Sequence, residues 1–193
     1  METFQQKNNI DYKHTLNLPN TAFPMKGDGA KREPEIQKYW FENKIYEKAL
    51  EQRKKQMAER FLLHDGPPYL SSGNIHIGTA LNKILKDIIV KYKTLKGYYS
   101  PYLPGFDCHG LPIEAAVYKD RKKTDGNLSP LQIRRECIEF VFKNRKLQEE
   151  KFKRLGVLGD WERSYMTIDK KFEAKQLALF ANMVDKEYIY IED

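Results

Sequence analysis

An α/β fold built around one parallel βαβ unit is predicted by three observations. "RFLLHD" (60–65) is a short apolar run cut off by "GPP", which reads as a strand that stops abruptly. Residues 80–92 place Ala80, Leu81, Ile84, Leu85, Ile88, Ile89 and Tyr92 as paired apolar positions repeating every four residues, the mark of an amphipathic helix. "YYSPYLPGFD" (98–107) is aromatic and extended, a second strand followed by a loop. A strand, a helix and a strand in that order form a right-handed crossover between parallel strands.

The other elements follow in chain order. Residues 1–33 are polar and broken by Pro19, Pro24, Gly27 and Gly29, an extended lead-in. Residues 34–59 open on Pro34 and carry Ile36, Tyr39, Trp40, Ile45 and Leu50 at loosely helical spacing, which predicts one helix. Together they make an amino-terminal extension, 1–59, ahead of the main unit, 60–193. In the 80–92 helix, Asn82, Lys83, Lys86, Asp87 and Lys91 fall outside the apolar stripe. Lys91, Lys93 and Lys96 suit the negative end of its dipole, and Gly97 supplies a left-handed stop. "LPIEAAVYKD" is a short helix entered through Pro112. "TDGNLSP" (124–130) is a turn-rich joint, and Ser129 with Pro130 starts a long helix that reaches about Leu155 and is closed by Gly156. Asp169 caps a further helix bearing Phe172, Leu177, Phe180 and Val184, and "YIYI" (188–191) begins a strand.

Composition narrows the function. The 193 residues carry 34 basic and 27 acidic side chains, a net charge of +7, which suits a polyanionic partner such as RNA or nucleotide phosphate. The two cysteines, Cys108 and Cys137, make neither a disulfide framework nor a zinc knuckle; Cys108 beside His109 offers two ligands without a second pair. No apolar run approaches the roughly 20 residues that span a bilayer. The amino terminus, "METFQQKNNIDYK", lacks a hydrophobic signal core, so a cytoplasmic protein is expected.

Ligands of a parallel sheet sit beyond the carboxyl ends of its strands. Both predicted strands end in unusual loops, "HDGPPYLSSGNIHIG" and "PGFDCHGLP", which sets Pro67 and Asp107 toward one crevice. "HIGT" (76–79) stands where the helix starts. The first turn of a helix offers unpaired N–H groups and a partial positive charge, a seat for phosphate. Gly78 lets a base or ribose approach the backbone, His76 adds an imidazole and Thr79 a hydroxyl. The spacing Gly-x-x-x-x-Gly-Lys of a Walker-type loop is absent. The same residues also allow a purely structural reading, in which His76 caps the helix and Gly78 relieves crowding.

"GPPY", "GNIHIG", "ALNKILKD" and "PGFDCHGLPIE", at these distances, resemble the start of the catalytic domain of the class I aminoacyl-tRNA synthetases. The isoleucine-specific bacterial branch is the most similar, and the resemblance runs from "DYKHTLNLPN" to "SYMTI". It implies the first half of a Rossmann-like nucleotide-binding fold, with a helical amino-terminal extension and carboxyl-terminal helices. It implies ATP-dependent activation of isoleucine to the aminoacyl-adenylate and transfer to tRNA(Ile). ATP would be a substrate accompanied by Mg2+, with no protein-bound metal in this segment, and the full-length enzyme would be a cytoplasmic monomer. Carried over, His76, Gly78 and Thr79 bind ATP, with His76 and Thr79 catalytic. Gly66 and Pro67 line the amino-acid site, and Asp107 holds the substrate's α-ammonium group; His109, Gly110 and Glu114 give structural support.

Three departures accompany the resemblance. Thr79 stands where the family has a second His, and a hydroxyl donates one hydrogen bond but carries no charge. "YLSSGN" is one residue longer than the family's loop, which predicts a small bulge. None of the five serines is followed by lysine, so the family's second phosphate-contacting loop has no counterpart. The editing insertion and anticodon-binding helices have none either. The chain is therefore expected to be the amino-terminal piece of a longer enzyme. A stand-alone nucleotide- or RNA-binding module derived from the same fold is the alternative.

Overall fold

The computed structural model describes residues 11–23, 26–121 and 129–192. A 3-10 turn at Tyr12–Thr15 precedes α1 (Gly29–Glu42) and α2 (Ile45–Lys55). Then come α3 (Ile77–Leu95), β1 (Gly105–Phe106), α4 (Leu111–Arg121), α5 (Pro130–Arg154), β2 (Tyr165–Met166) and α6 (Lys170–Asp185). Of the predicted 124–130 joint, residues 124–128 lie outside the described residues.

The predicted parallel relation between the first two strands holds, but the ladder is short. Residues 60 and 99 form a parallel bridge, and so do 69 and 107. Between these bridges the ladder is interrupted, and the Asp65 carboxylate takes the Gly105 N–H at 2.8 Å instead. On its other side, β1 pairs in parallel with β2, Gly105 opposite Tyr165 and Phe106 opposite Met166. Three chain segments thus run side by side, ending at Leu70, Asp107 and Thr167. The third was not predicted, because two ladder residues inside "ERSYMTID" leave no alternation to read. The strand predicted at 188–191 does not form: a strand needs a neighbour, and Ile191 is left almost wholly exposed.

The helix predicted over 34–59 is two helices. Asn43 ends α1 and Lys44 turns left-handed, φ 51°, which reverses the chain into α2. Helix α1 also starts five residues early, at Gly29, with Pro34 inside its second turn; Pro34 gives up one intrahelical bond there. Local chemistry placed α5 well. Ser129 and Gln132 form a reciprocal capping box, Pro130 opens the helix, and Gly156 at φ 84° closes it. Asp169 precedes α6 but caps nothing by its side chain; its Oδ2 accepts the Met166 N–H at 3.1 Å.

The core lies between α3, the 99–107 segment and α5, where Tyr102, Phe106, Val141 and Phe152 are fully buried. The extension is tied to it by Tyr46, whose hydroxyl accepts the Tyr102 N–H at 2.9 Å and donates to the Tyr102 carbonyl at 3.2 Å. Burial pushes that phenol up to about 12.

Helix α3 is oriented by its polar residues. Lys83 is fully buried and its ammonium pairs with Asp65, itself buried. Lys86 donates to the other Asp65 oxygen at 2.8 Å. One turn on, buried Asp87 accepts the Leu158 N–H at 2.9 Å, and Lys91 donates to the Gly156 carbonyl at 2.9 Å. The apolar stripe faces outward as a result: Leu81, Leu85, Ile88, Ile89 and Tyr92 are 40–55% exposed.

Burial alone would raise the Asp65 carboxyl, but Lys83, Lys86 and the Gly105 N–H outweigh it and hold it below the usual aspartate range. Its folded value is then below its unfolded value near ~4. The stability it contributes is present above that value and lost as pH falls through the folded one. Replacing one partner strands the other charge in the core, so Asp65→Asn and Lys83→Met should each cost about 3–5 kcal/mol. In urea unfolding at pH 7, the double variant should lose clearly less than the two singles added. Simple additivity would show that the pair is not coupled.

Candidate functional site

The carboxyl ends of the three parallel segments bring the first group of predicted residues together. The Asp107 N–H donates to the Pro68 carbonyl at 2.9 Å, and the Leu70 N–H donates to the Asp107 carbonyl at 3.1 Å. Gly66 and Pro67 directly precede Pro68, whose carbonyl takes part in the bridge between Tyr69 and Asp107. Lys86 from α3 donates to the Gly66 carbonyl at 3.3 Å, which fastens the start of this turn to the helix.

The half-buried Asp107 side chain is oriented from two sides. Its Oδ1 accepts from the Thr167 hydroxyl and from the His109 N–H, each at 3.3 Å. Thr167 is itself fixed, because its oxygen accepts the Cys108 N–H at 2.8 Å. Asp107 Oδ2 takes no hydrogen bond from the described residues. A half-buried carboxylate held by one oxygen can present the other to a cation.

The second group, His76, Gly78 and Thr79, sits at the amino end of α3. His76 Nδ1 accepts the N–H groups of Gly78 at 3.1 Å and Thr79 at 3.3 Å. An acceptor nitrogen carries no proton, so the ring proton lies on Nε2 and is donated to the Thr79 hydroxyl 3.0 Å away. The hydroxyl keeps its own proton for an outside acceptor. A side chain on residue 78 would begin 3.0 Å from the His76 ring, so glycine makes room for the cap. This is the structural reading that the sequence left open, and it uses the same N–H groups that a phosphate would use.

No hydrogen bond or ion pair among the described residues joins His76 or Thr79 directly to Asp107. The loop between them is clamped by α5. Asn144 donates to the Leu70 carbonyl at 3.0 Å. Gln148 donates to the carbonyls of Tyr69 at 2.9 Å and Ser72 at 2.7 Å, and Lys151 to that of Gly73 at 2.6 Å. At Gly73 an added Cβ would stand 2.5 Å from the Leu147 Cδ1 methyl and 3.1 Å from its Cβ, so Leu147 would have to shift to admit a side chain there. His109, Gly110 and Glu114 line a cleft of about 570 Å³ between α4 and α5; the His109 ring lies 3.2 Å from the Thr167 carbonyl and 3.5 Å from Glu173. Among the described residues, no three His, Cys, Asp or Glu side chains gather as a metal site, and no helix is long and apolar enough to cross a membrane.

Sequence reasoning missed Asp65, Thr167 and the α5 clamp. Asn144, Gln148 and Lys151 recur at intervals of four and three, a polar stripe at helical spacing that could have been read. Thr167 had no such signal, since its partner is 60 residues away. Thr167→Val removes a donor to Asp107 and strands the buried Cys108 N–H, so urea unfolding should register a loss of about 1–3 kcal/mol. Thr167→Ser should retain nearly all of the stability; an equal loss there would show that the methyl group, not the hydroxyl, matters.

Comparison with known proteins identifies the family. The isoleucine–tRNA ligase of Caldicellulosiruptor bescii is 51% identical over 181 residues, 94% of this chain and 19% of that protein. The isoleucine–tRNA ligase of Caldanaerobacter subterraneus subsp. tengcongensis is 52% identical over the same shares. The chain thus spans about a fifth of the length of the curated relatives it matches. Among solved structures, the Agrobacterium radiobacter K84 agnB2 LeuRS, in its ternary complex with tRNA and LeuAMS, superposes with a TM-score of 0.60 at 22% identity. That superposition covers 87% of this chain and 19% of the other, and it supports the α/β Rossmann-like fold. Residues 35–193 match the family described as tRNA synthetases class I (I, L, M and V), and the chain belongs to that family.

Proposed function

We propose that this chain carries the amino-terminal half-site of an isoleucine–tRNA ligase, which activates isoleucine with ATP and passes it to tRNA(Ile). The observation that carries this reading is Asp107, a half-fixed carboxylate set against the Gly66–Pro68 turn, in a chain about half identical to curated isoleucine–tRNA ligases. Asp107 takes the α-ammonium group through Oδ2, while Gly66 and Pro67 border the amino acid's side. The triphosphate lies at the amino end of α3. There it displaces His76 Nδ1 from the Gly78 and Thr79 N–H groups and accepts from the Thr79 hydroxyl.

The substrate carboxylate then attacks the α-phosphorus and pyrophosphate leaves with the broken P–O bond's electrons. A hydroxyl of the terminal tRNA ribose then attacks the adenylate's acyl carbonyl, the carbonyl-to-phosphate C–O bond breaks, and AMP leaves as the aminoacyl ester forms on tRNA. In-line chemistry of this kind depends on positioning and on donors aimed at developing charge. His76 and Thr79 supply those donors, and Thr79 contributes no positive charge. Mg2+ accompanies the triphosphate as its counter-ion, held by the nucleotide's own phosphates. Cytoplasmic location and a monomeric full-length enzyme belong to the same reading.

The His76 cap favours a second reading, a nucleotide- or RNA-binding module without catalysis, because a capped helix end is already satisfied. Equilibrium titrations of the 193-residue chain separate the two. Asp107→Asn should weaken isoleucine about 10- to 100-fold, the loss of one charged hydrogen bond, and leave ATP unchanged. His76→Ala should weaken ATP. If ATP affinity is untouched by His76→Ala while RNA still binds, the second reading holds. In a full-length enzyme bearing this segment, Thr79→His should raise the rate of pyrophosphate exchange; an unchanged or lower rate would remove Thr79 from the phosphate site.

A further inference from the structure

On the reading proposed above, the amino acid sits at Asp107 and the triphosphate at the amino end of α3. Attack of the carboxylate on the α-phosphorus needs the reacting atoms about 3–3.5 Å apart, and a misplacement of about 1 Å costs on the order of 100-fold in rate. The chain that runs from one half-site to the other is residues 69–75. Leu70 lies in the core and Ile75 packs against it, but the stretch between them has little structure of its own. Its one internal hydrogen bond among the described residues joins the Asn74 N–H to the Ser72 hydroxyl oxygen at 3.0 Å. Among the described residues, every hydrogen bond that Ser72, Gly73 and Asn74 make outside the stretch goes to α5.

Gln148 stands at the centre of that attachment. It is 2% exposed, and its Nε2 donates to the Tyr69 carbonyl at 2.9 Å and to the Ser72 carbonyl at 2.7 Å. Tyr69 is the residue that bridges Asp107. One amide thus spans from the amino-acid half-site to the stretch that leads to His76. Both contacts are carbonyls, which only accept, so the amide can face only one way. Its Oε1 is then left buried with no hydrogen-bond partner among the described residues. An unpaired buried acceptor is unfavourable, and such local conflicts gather where placement matters more than stability. Asn144 and Lys151 brace the same stretch on either side, at the Leu70 and Gly73 carbonyls. We propose that Gln148 is a positioning residue for adenylate formation: by holding Tyr69 and Ser72 to one amide, it sets the spacing between the two half-sites. It acts through the loop, on the distance between carboxylate and α-phosphorus.

The proposal rests on the substrate reading, and its test tells the two apart. Pyrophosphate exchange is measured in a full-length enzyme bearing this segment, with kcat and the KM values for isoleucine and ATP determined for each variant. Gln148→Met keeps the length of the side chain and removes both donors. Its kcat should fall about 10- to 100-fold while both KM values stay within about twofold, because each half-site keeps its own groups. Val141→Ala is the control for stability alone. Val141 is fully buried on the same helix, so its truncation should lower the thermal midpoint and leave kcat within about twofold of the parent. Lys151→Met, at a partly exposed position, should lower kcat in the same direction by a smaller factor with both KM values kept; it decides the question if Gln148→Met does not fold. The proposal is overturned if Gln148→Met exchanges as fast as the parent, or if it raises a KM and leaves kcat alone. It is also overturned if Val141→Ala loses as much kcat at an equal loss of thermal midpoint. A parent enzyme without isoleucine-dependent exchange would overturn the substrate reading, and this proposal with it.

Discussion

The fold hangs on a buried carboxylate. Asp65 occupies the gap between two parallel bridges and takes over the work of the missing ladder, binding the Gly105 N–H with one oxygen and Lys86 with the other. Lys83 reaches the same group from the interior, and the Tyr165 hydroxyl donates to the Asp65 carbonyl at 2.7 Å. Each of the three parallel segments, and α3 besides, therefore meets at one residue. Burying an ion costs several kcal/mol unless it is well partnered, so the site tolerates few other arrangements of its neighbours. That selectivity sets the rotation of α3 about its own axis.

The rotation has consequences at the amino end and in the middle of the helix. At its amino end, α3 presents His76 to its own first turn; in its middle, Lys86 holds Gly66. The sheet does the rest. Pro68, Asp107 and Thr167 stand at the carboxyl ends of three neighbouring segments and are joined by hydrogen bonds: a turn, a carboxylate and the hydroxyl that aims it. A parallel sheet gathers strand ends on one edge by construction, which is why residues 60 apart can act as one group.

In the proposed function, the His76 cap and a bound triphosphate would compete for the same N–H groups. A side-chain cap is worth about 0.5–2 kcal/mol, a modest amount against the attraction between a multiply charged phosphate and a helix amino terminus. The cap thus keeps the helix end satisfied without closing it to an anion. Thr79 takes part in both arrangements, accepting from His76 Nε2 and retaining a proton to give.

Features governed by near neighbours were legible in the sequence. The Ser129–Gln132 cap, the glycine stop at Gly156, the helix beginning at "HIGT" and the parallel relation of the segments that lead to "GPPY" and "PGFD" all follow from short-range rules or simple βαβ geometry. The family was legible too, since its motifs are contiguous. What stayed hidden depended on partners far along the chain. "YIYI" has the composition of a strand, yet among the described residues no segment pairs with it; "SYMTI" shows little and becomes a strand because β1 is there. The stripe of α3 has a clear period, and period fixes which residues share a face, not which way the face turns. That direction was decided by Asp65, whose buried charge outbids the hydrophobic stripe for the interior side, and only the tertiary structure brings the two together.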